Sequence, residues 1–260
     1  MSNEGNKRDG AAVFAERLNN NEPPPPKPTH NFFVYGGTGT GKTTLVKTLK
    51  GDVVENENRV LLLTNDKGSA SIQSALHDTD PYRWLIEEDI DEYQDVRDAY
   101  AYLYQKEHPF EWVVLDDCTI MAQMLVRVLE KKLGDNTWDI YRELNNRFRR
   151  LLRGFRDLDT NVLFLAREGI KEKTDGVKTA AFPGKALGTG NDKSSVLHEF
   201  DYAFRAFKRG EADEPEYLLQ TDGSDDVEAK KRDEMHVLDL YESPDMTAIR
   251  TKIIDAIHNN

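Results

Sequence analysis

Short apolar runs separated by polar, helix-compatible stretches set the outline of this chain. Phe32, Phe33, Val34 and Tyr35 form the first run, Arg59–Thr64 (R-V-L-L-L-T) the second, residues 112–115 the third and residues 161–166 (N-V-L-F-L-A) the fourth. Continuous runs rich in β-branched residues and leucine suit strands covered on both faces of a parallel sheet. Helical patterns lie between them, at residues 45–49, 70–77, 95–108 (stopped by Pro109), 119–132 and 138–157. The last of these places Leu144, Phe148, Leu151, Leu152, Phe155 and Leu158 on one face at 3.6-residue spacing. Further on, residues 200–207 and 216–220 read as two more strands, joined by a charged turn at 208–214, and residues 246–257 read as a C-terminal helix.

Three stretches break this rhythm. Residues 1–30 read as an appendage: Pro23 to Pro26 and Pro28 lock the backbone and remove donors, so the segment is an extended, semi-rigid linker. Residues 78–95 are acidic and carry Tyr82 and Trp84, the pattern of a solvated face with packed aromatics. Residues 169–195 are rich in glycine and lysine and have no period, and long loops of this kind are usually functional or disordered.

The first strand runs directly into G-G-T-G-T-G-K-T-T, in which Gly36, Gly41, Lys42 and Thr43 hold the fixed positions of G-x-x-x-x-G-K-T. A strand before and a helix after are the context this phosphate loop needs. A triphosphate must be held by backbone N–H groups, and glycine lets the chain wrap closely around it. The unpaired N–H groups and dipole of the following helix favour the negative charge. Gly36, Gly37, Thr38, Gly39, Thr40, Gly41, Lys42, Thr43 and Thr44 are therefore the expected ATP-binding residues. Lys42 is expected to reach the β and γ phosphates, and the Thr43 hydroxyl to ligate Mg²⁺.

The remaining candidates sit where strands end. The third run closes on Asp116 and Asp117, a Walker B pattern whose first acid, Asp116, holds Mg²⁺ directly or through water. Asp117 reads either as a second acid or as the cap of the helix that follows. Asp66, at the end of the second run, either orients the attacking water or is a turn aspartate before Gly68. Arg167 and Glu168 end the fourth run, where polar groups can sense the γ phosphate from a neighbouring strand.

Composition narrows the surroundings. No apolar run is long enough to cross a bilayer and no signal-peptide pattern is evident, so a cytoplasmic setting without membrane contact is expected. The single cysteine, Cys118, forms no internal disulfide and fits a reducing compartment. The net charge of −12 opposes nucleic acid overall, so any DNA contact must come from local basic surface. One such surface is a stripe on the 138–157 helix made by Arg142, Arg147, Arg149, Arg150, Arg153 and Arg156. It reads equally as a solvated helix face or a subunit contact.

Among phosphate-loop proteins, GTPases carry N-K-x-D, which Asn65, Asp66 and Lys67 do not make, and ABC ATPases carry L-S-G-G-Q, which is absent. The order G-x-x-x-x-G-K-T-T-L, V-V-L-D-D, W-D-I-Y-R-E-L-N-N-R-F-R-R-L-L-R, N-V-L-F-L-A-R, F-P-G-K, F-D-Y-A-F-R and A-K-K-R-D resembles the phage-encoded RecA-core nucleotide-binding proteins. That family includes single-strand annealing ATPases of phage recombination systems. The resemblance covers residues 31–257. It implies an α/β, RecA-like P-loop NTPase domain over 31–260, with a mostly parallel central sheet and helices on both faces.

For the site, the resemblance implies catalytic roles for Lys42, Asp66 and Asp116. It also implies that Lys230 and Arg232 act as basic fingers reaching a neighbour's γ phosphate, so that the site is complete only in a homo-oligomer or filament. Asp66 stands where RecA-like proteins keep a glutamate, and its shorter reach implies slow hydrolysis. The implied partners are single-stranded DNA, through residues 169–195, and a single-strand-binding protein. A helicase-loader or packaging-type DNA motor, and a non-catalytic nucleotide-gated module, are the competing expectations.

Overall fold

The computed structural model describes residues 29–53, 58–65, 71–76, 84–105, 107–134, 136–172, 178–181, 196–211, 213–232 and 236–258. The proline-rich segment, Asp66 and most of 173–195 lie outside them. Eleven strands alternate with helices through this range: β1 (Asn31–Gly36), α1 (Thr43–Asp52), β2 (Arg59–Thr64), the short α2 (Gln73–Leu76), β3 (Leu85–Asp89), α3 (Tyr93–Gln105), β4 (Phe110–Asp116), α4 (Cys118–Leu133) and α5 (Thr137–Arg156) come first. They are followed by β5 (Asn161–Arg167), β6 (Gly169–Glu172), β7 (Lys178–Ala181), a 3₁₀ turn α6 (Val196–Glu199), β8 (Tyr202–Arg209), β9 (Glu216–Gln220), β10 (Lys230–Lys231), β11 (Tyr241–Glu242) and α7 (Met246–His258).

Nine strands form one sheet in the order β11-β9-β8-β1-β5-β4-β2-β3, with β10 beside β8. From β3 to β8 every pairing is parallel, and β9, β10 and β11 add antiparallel pairs at one side. This is the expected α/β architecture with a mostly parallel sheet. Strand alternation divides the core: Phe33, Tyr35, Val113, Leu115 and Phe164 face a cluster with α4 and α5 residues such as Leu125, Leu144 and Phe148. Phe32, Val34, Trp112 and Val114 face the other, with Leu45 and Leu49 of α1 and Ile249 and Ile253 of α7. Side chains two apart share a face, so each strand supplies both clusters and helices cover both sides.

Several boundaries differ from the expectation, and five strands, β3, β6, β7, β10 and β11, lie where none is expected; β6 and β7 pair as an antiparallel hairpin within residues 169–195, whose sequence shows no period. β3 falls in the stretch whose sequence predicts an acidic solvated face. Only Leu85 of its five residues is buried, and as an edge strand paired in parallel to β2 it ends in Glu87, Glu88 and Asp89. Charges on an edge strand discourage pairing with another chain, and they also conceal the strand's period. Trp84, just before it, is buried as expected of a packed aromatic. β8 runs from Tyr202 to Arg209, so Lys208 and Arg209 belong to the strand and pair with β9 instead of forming a turn. Phe200 is buried between β1 and β5, stacked on Phe33 and tilted against Phe164. The helix after the phosphate loop, α1, has 3₁₀ geometry over residues 43–52.

Candidate nucleotide site

β1 delivers the chain to the phosphate loop at the C-terminal end of the parallel strands, and three strand ends meet there. β5 lies between β1 and β4, so Arg167 sits between the loop and Asp116. Ligands in open α/β sheets bind at such strand ends, where connections depart to opposite sides. The loop, Asp116, Asp117, Arg167 and Tyr217 line one cleft of about 820 Å³.

The glycines are required by geometry at two places in particular. A Cβ at Gly36 would collide with the Ala206 carbonyl of β8. Gly41 has φ +85°, a conformation L side chains rarely adopt. Gly37 offers its carbonyl to the Thr40 hydroxyl at 2.9 Å, which pins the bend of the loop. Thr38, Gly39, Thr40, Gly41, Lys42, Thr43 and Thr44 then face the cleft.

Lys42 folds back over the loop, and its Nζ donates to the carbonyls of Gly36 and Gly37, each at 2.8 Å. Burial holds its pKa below the usual lysine value, while the carboxylates of Asp117 and Asp116 pull it back up. The ammonium thus rests on neutral dipoles, half-desolvated, with negative charge nearby. The Thr43 hydroxyl donates to Asp116 Oδ2 at 2.7 Å. That hydroxyl and carboxylate are the oxygen donors that Mg²⁺ takes alongside phosphate and water. Among the described residues no group of three or more His, Cys, Asp or Glu could hold a metal by itself. Mg²⁺ usually keeps several waters and uses one or two carboxylates plus substrate phosphates, so the donors present fit it.

Asp117 combines two roles. Its side chain caps α4, accepting from the Thr119 N–H at 2.7 Å, and its Oδ2 accepts from Arg167 Nε at 2.8 Å. The peptide before it is cis. Asn65, at the end of β2, braces this turn: its Nδ2 donates to the Asp117 carbonyl at 3.0 Å and its Oδ1 accepts from the Asp117 N–H at 3.2 Å. The Thr119 hydroxyl in turn accepts from the Arg167 N–H at 2.9 Å. The ends of β2, β4 and β5 are therefore stitched together beside the loop. Next to Arg167, Glu168 donates its N–H to the Gly36 carbonyl at 3.0 Å and pairs through its carboxylate with Arg205 of β8 at 3.0 Å.

The expected residues divide into three groups. The loop residues, Lys42, Thr43 and Asp116 come together in the cleft. Lys230 and Arg232 do not join them in this chain. Lys230 pairs with Ala203 near the start of β8, whereas the loop begins level with Ala206. Lys230 Nζ donates to the His198 carbonyl at 3.3 Å, and Arg232 pairs with Asp201 at 2.7 Å. Asp66 lies outside the described residues.

The arginine stripe of α5 is also largely engaged. Arg153 meets Glu199 at 2.6 Å, with Arg156 at 3.6 Å and Arg149 at 3.8 Å from the same carboxylate. Arg142 and Arg147 pair with Asp139 and Glu143 on the helix itself. Several residues of the site carry no such role in the sequence analysis, among them Asn65 as a brace and Lys47, Thr48, Ser71, Tyr217 and Pro244 in the wall. Asn65 had a signal, since it ends the apolar run of β2. Tyr217 and Pro244 come from distant segments and had none.

The family model for the AAA domain matches residues 29–232. No curated protein matches the chain. Among solved structures, the KaiC-like protein PH0186 from the hyperthermophilic archaeon Pyrococcus horikoshii OT3 is similar at 15% identity, over 78% of this chain and 81% of that one, with a TM-score of 0.45. No helix among the described residues is long and apolar enough to cross a membrane. Because the AAA match runs from the residues leading into β1 through the phosphate loop, Asp116 and Arg167 to Arg232, the chain belongs to the AAA domain family of P-loop ATPases.

Proposed function

We propose that this chain is a Mg²⁺-dependent ATPase of the RecA-like, phage-encoded type that binds single-stranded DNA and promotes annealing or strand exchange. The observation that carries the reading is the joint placement of Lys42, the Thr43–Asp116 pair and Arg167 in one cleft, with β6 leaving that cleft two residues after Arg167. Lys42 and the loop N–H groups hold the phosphates, and Thr43 and Asp116 would hold Mg²⁺, which would supply charge neutralisation there. Arg167 is tied to Asp117 beside the loop, where a γ phosphate competes with that carboxylate for its guanidinium. In this reading Asp66 positions water, and Lys230 and Arg232 act on the site of a neighbouring copy in an oligomer or filament.

The DNA contact is assigned to residues 169–195. The backbone of β6 pairs with β7 in an antiparallel hairpin, and the segment is joined to the cleft through Glu168 and Arg167. A single-strand-binding protein as further partner and a host-cell cytoplasm as setting follow from the same reading. The salt dependence of single-stranded DNA binding tests it: log K is expected to fall with log salt at about −0.7 per phosphate neutralised. Replacing Lys171, Lys173, Lys178, Lys185 and Lys193 with alanine should flatten that slope. Salt-insensitive binding, or a slope unchanged by these substitutions, would refute the assignment. A nucleotide-gated module, in which Asp66 is a turn residue and ATP sets conformation alone, is the second reading, favoured by one observation: Asp117 is committed to Arg167 and to the cap of α4, which takes that acid out of water positioning. Nucleotide binding without turnover would select it.

A further inference from the structure

The cleft joins two chemically different ends. Asp116 stands on β4, two strands from β1 on one side, and Tyr217 stands on β9, two strands from β1 on the other. At about 4.8 Å between neighbouring strands, the phosphate loop is flanked by a charged wall and an aromatic wall roughly 19 Å apart. Tyr217 shares the strand face of Leu219, which packs in the cluster with α1, so its ring lies on the α1 side of the sheet. Pro244 completes that wall. It precedes α7, whose Met246 N–H donates to the Thr48 hydroxyl of α1 at 3.0 Å, which fixes the proline beside the helix and away from Asp116.

The aromatic wall is open and lies close to the phosphate loop. Tyr217 keeps 40% of its surface exposed although it lines the cleft. A Cβ added at Gly41 would meet the tyrosine ring at 3.5 Å, so the bare glycine lets the ring sit close to the loop. Hydrogen-bonding groups able to read a base are scarce here. The described cleft wall contains no Asn, Gln or Glu, and the hydroxyls of Thr44 and Ser71 that line it both donate and accept, so they favour neither purine edge. The Thr48 hydroxyl is already used twice, donating to the Leu45 carbonyl at 2.7 Å and accepting from Met246. Lys47 brings donors alone, which the ring acceptors of any purine satisfy.

We propose that the Tyr217–Pro244 end of the cleft is a nucleobase subsite in which the Tyr217 ring stacks on the base, and that it takes purine nucleoside triphosphates with little distinction between adenine and guanine. The inference rests on the reading of the cleft as a triphosphate site and adds to it what holds the other end of the ligand. Every base has a flat π-face, so recognition by stacking tolerates changes at the base edge. A polar edge reader would reject a mismatched base strongly.

Isothermal titration of the full-length protein with ATP, GTP and inorganic tripolyphosphate, each with Mg²⁺, tests this. ATP and GTP should bind the wild type within about threefold of each other, because stacking does not read the base edge. Tyr217→Ala should weaken both by about ten- to a hundredfold and leave tripolyphosphate unaffected, and Tyr217→Phe, which keeps the ring, should rescue nucleotide affinity. Equal losses for ATP and tripolyphosphate would mean that Tyr217 acts through Gly41 and the loop, and would overturn the subsite. So would unchanged ATP affinity in Tyr217→Ala, or a preference for ATP over GTP beyond about tenfold, the mark of a hydrogen-bonding reader. Lys42→Ala separates the two readings: if it still binds tripolyphosphate, the triphosphate site itself is wrong, whereas the ratio of ATP to tripolyphosphate affinity judges Tyr217 alone.

Discussion

Lys42 and the arginines of α5 are both cations in a chain of net charge −12, yet they stand in opposite settings. Lys42 rests on two backbone carbonyls, with the carboxylates nearest it occupied by Thr43 and Arg167. Arg149, Arg153 and Arg156 converge on the carboxylate of Glu199, which binds α6 to α5. A cation held by neutral dipoles keeps its charge available for an incoming anion. One held by a carboxylate has largely spent it on the fold. A row of arginines in a sequence therefore says little about anion binding until the partner of each is known.

The largest contrast should come from removing the lysine. Lys42→Ala is expected to lower ATP turnover by at least about a hundredfold, the scale of losing one pre-placed donor to transition-state charge. Its thermal midpoint should stay near that of the wild type, since the side chain bonds only loop carbonyls. Steady-state hydrolysis and a thermal melt on the same preparation check both halves.

Next in size is Asp116→Asn. Titrating Mg²⁺ against a fluorescent nucleotide should show affinity reduced about ten- to a hundredfold, the usual cost of disturbing a metal's oxygen partners. Nucleotide binding without Mg²⁺ should change far less. An equal loss with and without the metal would contradict the role assigned to the Thr43–Asp116 pair.

On the other side of the comparison, Glu199→Gln should leave nucleotide affinity alone and cost about 1–3 kcal/mol of stability, because it leaves charged donors without their carboxylate. For a chain of this size that corresponds to a lowering of the melting temperature by roughly 2–4 °C per kcal/mol. The Arg153 hydrogen bond, opposed by burial and aided by the charges of Arg153, Arg149 and Arg156, holds the Glu199 carboxyl below its ordinary range. A lowered folded value means that the stabilisation is complete above the unfolded glutamate pKa, about 4.3, and is lost as pH falls through the lower folded value. The gap between wild type and Glu199→Gln should therefore close in acid. The smallest effect is expected from Arg142→Ala, since Arg142 is itself exposed and its half-buried partner Asp139 lies one turn away on the same helix. Its melting temperature should move by no more than about a degree, as for most exposed ion pairs.

Legibility in the sequence followed the same division. β1, β2 and β5 are continuous apolar runs because both faces of each are buried, and the face of α5 followed from the spacing of Leu144, Phe148, Leu151, Leu152 and Phe155. β3 escaped because an edge strand buries little, and its acids mask the alternation. In the candidate site, the motif spacing leads one to expect Lys42, Thr43 and Asp116 together, and the fold brings them into one cleft. The sequence allows Asp117 as cap or second acid, and the structure gives it the cap and a bond to Arg167 besides. Glu199 and Tyr217 were not readable. Each acts on residues far along the chain, and the sheet order that brings them together is a tertiary property.

The central claim, that the cleft around Lys42 hydrolyses ATP in response to single-stranded DNA, is tested most directly by steady-state ATP hydrolysis with and without that DNA, in wild type and in Lys42→Ala. The account predicts turnover that DNA accelerates in the wild type and that the substitution abolishes under both conditions. Turnover that DNA leaves unchanged, or that survives loss of Lys42, would contradict it.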